Sequence, residues 1–368
     1  MKKRLAIFMH GGISGGISSQ GFPKIVQIVE GLSDEFDVSV FSLAVVEKNS
    51  ESLPYKVFSP PKALKIQALR WIYYFFFFLI YHFRNRQDVL FSFWGYPVGL
   101  LVVLYGKILR KPSVVSILGA ETANLPEINY GYLRNARLRR LMIWTCRHAD
   151  ELIAVSQYQV DILKRHDLSR TVHVIPFGAD KRLFYPLLKK PSLPLKILHV
   201  ANLNEVKDQE TLVRAFDVIR KRIPAQLRIV GPDFLGGKIQ AIVEQLGLDG
   251  DVEFIPPVPQ SQILVHYHWA DVFMLTSLSE GQNNAITEAM MCGVLPVSTA
   301  VGSMVDLGDK VGIVASCRDH ESLGGKVVDL YAKPEEWEAR RSAAVEYAVQ
   351  FDHTWTLTQL KTLLNKNF

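Results

Sequence analysis

At 368 residues the chain is too long for one ordinary core and fits two domains of common size. Hydrophobic content of 48% against 21% charged residues marks a globular protein and excludes long disorder; three scattered cysteines, Cys146, Cys292 and Cys317, exclude a disulfide frame and point to buried thiols in a reducing compartment. The net charge of +6 comes without any nucleic-acid recognition motif, so no nucleic-acid partner is expected.

Met1-Lys2-Lys3-Arg4 and the apolar Leu5 to Met9 imitate the start of a signal peptide, but His10-Gly11-Gly12 cuts the run after five residues, and it reads as a first buried strand. The glycine loop His10 to Ser18 follows, with Gly15 and Gly16 as candidates for close approach of backbone to a phosphate or an acceptor sugar. Its spacing is not a dinucleotide fingerprint, and His10 at a strand end reads as structural. A helix is predicted near Phe22 to Leu32, then strands over Val38 to Leu43, Val89 to Phe93, Ser113 to Ile117, Glu151 to Val155 and Val172 to Ile175.

Between Ser52 and Gln87 there is no acidic residue, while Lys56, Lys62, Lys65, Arg70, Arg84 and Arg86 bracket the aromatic run Ile66 to Phe83. Three readings stay open for that run. A spanning helix needs roughly 20 apolar residues, and Gln67 and Arg70 interrupt this one. A core helix is the plain alternative. An interfacial element suits tyrosine and tryptophan flanked by cations that attract anionic lipid. A second basic run in the same half, Arg134 to Arg147 on a predicted helix, favours this third reading.

In the second half the predicted strands are Lys196 to Val200, Gln226 to Val230, Val252 to Ile255, Val272 to Leu275 and Leu295 to Ser298, separated by helices such as Asp208 to Arg222 and Lys238 to Leu246. Alternation of short apolar runs with helical ones implies an α/β protein with two doubly wound, Rossmann-like domains facing a central cleft. The proline-rich stretch 185–194 reads as the linker between domains at 1–184 and 195–351. Asp249-Gly250-Asp251 lies in a helix-to-strand turn, where these residues are good turn formers, and no His or Cys cluster has ligand spacing. No metal and no cofactor is expected.

The segment Ser279 to Met290 carries the chemistry. Glu280 belongs in the loop at a strand's carboxyl end, and Glu288 stands about a turn into the next helix, on the order of 6 Å along its axis. Asn283 or Asn284 can cap that helix, whose first amides suit an anion. Carboxylates on both sides of such a helix start fit a diphosphate flanked by hydroxyls, which describes a nucleotide sugar.

These residues resemble the E-x7-E motif of the retaining group 1, or family four, glycosyltransferases of the GT-B fold. Val174-Ile175-Pro176-Phe177-Gly178-Ala179-Asp180 resembles that family's V-I-P-N-G-V-D stretch; Leu203 to Phe216 resembles the segment after its G-R-L, and Leu227 to Gly231 its strand and glycine turn beneath the base. The resemblance covers nearly all of Ala149 to Ala315 and implies an N-terminal acceptor domain, a C-terminal donor domain and a final helix, 352–368, crossing back onto the first domain. It implies catalytic roles for Glu280 at the donor sugar and Lys207 at the leaving phosphate. Donor-binding roles fall to Glu288 on the ribose, to Asn202, Gly281, Gln282, Asn283, Asn284 and Ala285, and to Gly231 and Pro256 near the base. Two departures stand out. Ala201-Asn202-Leu203 replaces G-R-L, removing a cation, and Leu118-Gly119-Ala120-Glu121 stands where the family has H-G-x-D. Glu121 is the candidate acceptor base or orienting group, open against the reading of a helix-start carboxylate; Gly119 belongs to the acceptor side.

The expectation is a retaining glycosyltransferase that uses a nucleotide diphosphate sugar and a glycan or lipid-linked acceptor, cytoplasmic and peripheral on an anionic membrane face, in cell-surface polysaccharide or glycolipid synthesis. A catalytically weakened nucleotide-sugar-binding scaffold of the same fold, and an epimerase of the same architecture, stay open beside it.

Overall fold

The structure, a computed structural model, describes residues 2–11, 22–46, 53–62, 67–187 and 189–366. The chain divides into two compact units, Met1–Pro176 with Thr356–Phe368, and Phe177–Trp355.

The first unit is built on a parallel sheet of seven strands in the order β3-β2-β1-β4-β5-β6-β7: β1 (Arg4–Met9), β2 (Asp37–Ser42), β3 (Lys56–Phe58), β4 (Val89–Ser92), β5 (Ser113–Ile117), β6 (Glu151–Ala154) and β7 (His173–Val174). Leu5 to Met9 are all fully buried, as expected of a parallel strand covered on both faces by helices. Those helices include α1 (Pro23–Ser33), α2 (Gln67–Arg84), α3 (Leu100–Leu109), α4 (Ala136–His148) and α5 (Gln157–Lys164). Proline opens α1, the Asn135 side chain accepts from Arg137 N and Leu138 N to cap α4, and Ser156 caps α5.

The aromatic helix α2 has two apolar faces. Tyr74, Phe78 and His82 point into the core, where Phe78 meets the rings of Phe8, Phe41 and Tyr105. On the opposite side Ile72, Phe76, Ile80 and Phe83 are 54–76% exposed. The core and interfacial readings of this run therefore each have a face. No helix among the described residues is long and apolar enough to cross a membrane.

The second unit holds a parallel sheet of six strands in the order β10-β9-β8-β11-β12-β13: β8 (Leu195–Val200), β9 (Ala225–Val230), β10 (Val252–Ile255), β11 (Val272–Leu275), β12 (Leu295–Thr299) and β13 (Ile313–Ala315). Around it lie α6 (Gln209–Arg220), α7 (Lys238–Gln245), α8 (Gln260–Trp269), α9 (Asn284–Met291), α10 (Ser303–Leu307), α11 (His320–Tyr331) and α12 (Pro334–Gln350). In both sheets the first strand is central and the order reverses beside it, at β1/β4 and at β8/β11. Such reversal points leave a crevice at the strands' carboxyl ends, because successive connections leave in opposite directions.

Three features differ from the expectations. The three-residue strands β3 and β13 were not foreseen, being shorter than any alternation that can be read in a sequence. The chain passes between units at Pro176/Phe177, ahead of the proline-rich stretch, whose described residues are tied into the second unit: Leu187 N donates to Cys292 O, and Ser192 N and Oγ both bond to the Asp271 carboxylate. Cys317 is exposed, unlike the buried Cys146 and Cys292. The last helix, α13 (His353–Lys366), belongs to the first unit from Thr356 onward, where the Thr356 hydroxyl donates to Pro176 O and the Asn365 amide to Glu35.

Candidate functional site

The site grows from the two strands that flank the reversal in the second sheet. After β8 the chain runs through Asn202 to Lys207; after β11 it runs through Thr276 to Asn283. These loops are stitched together. Leu278 N donates to Val206 O at 2.8 Å, and the Thr276 hydroxyl lies 3.0 and 2.9 Å from the Lys207 and Asp208 carbonyls. On that frame the Lys207 ammonium donates to Glu280 Oε1, which also accepts from the Ser277 hydroxyl at 2.7 Å and the Asn283 amide at 3.0 Å. Both charged side chains are largely shielded, at 19% and 13% exposure, so the pair attracts more strongly than a surface pair.

Asn283 does two jobs. Its Oδ1 accepts from Ile286 N and caps α9, while its Nδ2 reaches Glu280. A backbone φ of +72° aims it, a conformation asparagine tolerates better than most residues. Gly281 is buried at the start of this turn; Asn284 is exposed at the first helical position and Ala285 is half-buried behind it. Glycine is required at 302, where φ is +57° and a Cβ would lie 2.9 Å from Gly281 O and 3.1 Å from Glu280 Cβ. Glu288 lies further along the same helix and accepts from the Tyr267 hydroxyl at 2.8 Å.

On the β8 side, Asn202 presents its side chain to solvent and accepts through its carbonyl from the Gln209 amide at 3.1 Å. The same Gln209 amide reaches His199 Nε2 at 3.2 Å, while His199 Nδ1 donates to Met274 O at 2.8 Å. Nδ1 therefore carries the ring proton. Burial holds the His199 pKa down at about 4, so the ring is neutral at ordinary pH. Gly231 has φ of +147° and passes so close to Ala201 that a Cβ would lie 2.1 Å from its carbonyl oxygen; this fixes the loop after β9 against the loop after β8. Pro256 is exposed at the end of β10, two strands away from β8.

Two of the expected site residues have their side chains engaged within the protein. The Gln282 side chain is buried, with Oε1 accepting from Phe177 N at 2.8 Å and Nε2 donating to Phe177 O and the Thr287 hydroxyl, so it fastens Phe177 to the loop after β11. Glu121, the candidate base, is fully buried in the first unit. Its oxygens accept from Gly95 N at 3.0 Å, Gly119 N at 2.9 Å and Leu118 N at 3.3 Å. Burial pushes its pKa up while these amides pull the other way, and a base needs an open oxygen that Glu121 does not offer. It is the fastener of the turn after β5, with Gly119 as one of its partners. Gly15 and Gly16 lie outside the described residues.

The structure joins Lys207, Glu280 and Asn283 by hydrogen bonds and sets Glu288 further along the helix that Asn283 caps; sequence reasoning did not name their partners Ser277 and Tyr267, nor His199 and Gln209. The one available signal was polarity out of place: a histidine within the apolar run of β8 and a tyrosine within α8.

Comparison with known proteins fits this geometry. Residues 194–333 match the model described as glycosyl transferases group 1, and residues 25–183 the model described as Glycosyltransferase Family 4. A D-inositol 3-phosphate glycosyltransferase of Paenarthrobacter aurescens is 28% identical over 240 residues, covering 61% of this chain and 56% of the relative. The chain spans about half the length of the curated relatives it matches. Sucrose-phosphate synthase of Thermosynechococcus elongatus superposes with a TM-score of 0.82 at 17% identity over 99% of both chains. Anabaena HepE in complex with UDP superposes with a TM-score of 0.78 at 18% identity, over 99% of this chain and all of that one. The structures share the GT-B fold, two domain models together account for most of the chain, and the protein belongs to the group 1, family 4 glycosyltransferases.

Proposed function

We propose that the protein transfers a glycosyl group from a nucleotide diphosphate sugar to an acceptor, with retention of anomeric configuration. The observation that carries this reading is the Lys207–Glu280 pair at the start of α9, with Glu288 further along the same helix. The diphosphate lies against the amides that open α9, and Lys207 faces the leaving phosphate, where charge builds during transfer. Glu280 uses its remaining acceptor capacity on sugar hydroxyls, and Glu288 accepts from the ribose diol. No metal or cofactor takes part. UDP in the HepE complex supports a nucleotide ligand for the fold.

The acceptor is lipid-linked, and the protein works as a peripheral enzyme on the cytoplasmic face of an anionic membrane, in assembly of a cell-surface polysaccharide or glycolipid. Support comes from α2, where an exposed apolar row ends beside the exposed Arg84 and Arg86.

A panel of UDP-, GDP- and dTDP-sugars tests the transferase reading by donor hydrolysis and by transfer. Turnover of one donor is the expected result; absence of both turnover and binding refutes it. Tight binding without turnover supports the second reading, a nucleotide-sugar-binding scaffold, which the uncharged Asn202 and the enclosed Glu121 favour.

A further inference from the structure

Glu288 has a partner that its sequence neighbourhood does not announce. Tyr267, on α8, reaches across to α9 and donates its hydroxyl to Glu288 Oε2 at 2.8 Å. The ring is completely buried, meets Phe184 edge-on with centroids 5.8 Å apart at 80°, and lies tilted at 40° to Phe273 at 6.1 Å. Core packing on this scale locks the ring's rotamer. The carboxylate it meets belongs to Glu288, a half-buried residue of α9.

We infer that Tyr267 is a positioning residue that sets the Glu288 carboxylate for recognition of a ribose diol and so gives the site its preference for ribonucleotide over deoxyribonucleotide donors. This rests on the ribose role proposed for Glu288. A glutamate on a helix surface samples several rotamers, and ordering it costs free energy on binding. The phenol takes one oxygen and holds it, so the plane of the carboxylate stays fixed in one direction. Burial, and then the neighbouring carboxylate, push the phenol pKa well above its ordinary value, so the hydroxyl donates at every working pH. A buried tyrosine also needs a hydrogen-bond partner for its own sake, but a backbone carbonyl would serve that need without bringing an ionised group to the core's edge. Using a carboxylate at this place points to the carboxylate as the group being served.

The experiment measures binding of UDP, 2′-deoxy-UDP, GDP and 2′-deoxy-GDP by calorimetry to the full chain, to Tyr267→Phe, which keeps the ring, and to Glu288→Gln. The wild type should bind at least one ribonucleotide about tenfold or more tighter than its deoxy form. Tyr267→Phe should lose most of that ratio through weaker ribonucleotide binding, leave deoxy binding unchanged, and raise the donor KM with kcat nearly constant. Glu288→Asp withdraws the carboxylate from ribose and phenol alike and so reports on the ribose role alone; should Tyr267→Phe be poorly stable, the thermal shift given by UDP over that given by 2′-deoxy-UDP reads the preference on its folded fraction. A full ribose preference retained in Tyr267→Phe, with Glu288→Gln losing it, overturns the positioning role and leaves the ribose role of Glu288 standing. If Glu288→Gln also retains the preference, or the wild type binds no nucleoside diphosphate, the underlying reading fails with it.

Discussion

The Lys207 ammonium and the Glu280 carboxylate are hydrogen-bonded to each other although 73 residues separate them, and they leave from the two strands between which the sheet order reverses. A cation held this way is already desolvated and aimed before any ligand arrives, the condition under which a charge stabilises a transition state without reorganising.

Replacing Lys207 by Ala should lower kcat by about 10²–10³, with a smaller change in KM, because the leaving phosphate carries more charge in the transition state than in the bound donor. Glu280 would keep Ser277 and Asn283 as donors, so the melting temperature should move by only a few degrees. Steady-state kinetics and calorimetry on the same preparation check both parts; an unchanged kcat removes Lys207 from the reaction.

Asn202 stands five residues before Lys207, where the resemblance places arginine, and its side chain is in solvent. Asn202→Arg should tighten nucleoside diphosphate binding about tenfold at low salt, since a second charge-assisted contact contributes roughly 1.5–3 kcal/mol. The gain should shrink as ionic strength rises. Titration of UDP or GDP at two salt concentrations is the measurement.

How far the site was legible depended on how local its contacts are. The run Val272 to Leu275, the cap at Asn283 and the helix after it are contacts within a dozen residues, and the spacing of Glu280 and Glu288 followed from them. The partners of those groups are not local. Gln282 reads as a loop amide until Phe177, 105 residues away, is brought against it, and Glu288 reads as a surface helix residue until Tyr267 arrives from α8. Glu121 reads equally as a base or as a structural carboxylate in the sequence, because the amides of Gly95, Leu118 and Gly119 that converge on it come from separate turns. The strands of the two sheets were largely legible because buried parallel strands are continuous apolar runs, whereas the edge strands β3 and β13 are too short to show a period.

Glu121→Gln keeps shape but turns an amide NH2 toward backbone N–H groups. It should destabilise the first unit by about 1–3 kcal/mol, the cost of leaving buried backbone amides without their acceptor. The refolded fraction should keep its specific activity and pH profile. Denaturant melts paired with pH–rate profiles check this; loss of activity together with the acidic limb of the profile, with stability unchanged, would restore Glu121 as a base.

The exposed row on α2 predicts a graded membrane response. The wild type should float with vesicles containing anionic lipid at low salt and less at high salt, because apolar insertion and charge attraction act together. Phe76→Glu and Phe83→Glu should each reduce the bound fraction severalfold without lowering donor affinity, since both side chains are more than half exposed and lie outside the donor unit. Wild-type protein that stays with the unbound fraction at low salt refutes the membrane reading.

His199 supplies a pH signature. Its pKa in the fold is lowered by burial, then raised a little by the Met274 carbonyl and by Glu280 and lowered by Lys207, to about 4 against 6.5 for the free ring. The unfolded chain therefore binds a proton between these values that the folded chain refuses. Stability from this group is fully present above pH 6.5 and is lost as pH falls through about 4, a total of about 3 kcal/mol. Only near and below about pH 4 does the folded ring itself take the proton and cease to accept from Gln209, the amide that also holds the Asn202 carbonyl. Chemical denaturation at pH 7.5, 6 and 5 should show wild-type stability declining across the series. His199→Gln should start lower and decline less steeply, while donor affinity of the folded wild type should hold across the series, because the folded ring stays neutral until pH falls to about 4. Parallel slopes for the two proteins would mean that His199 is not the group that titrates.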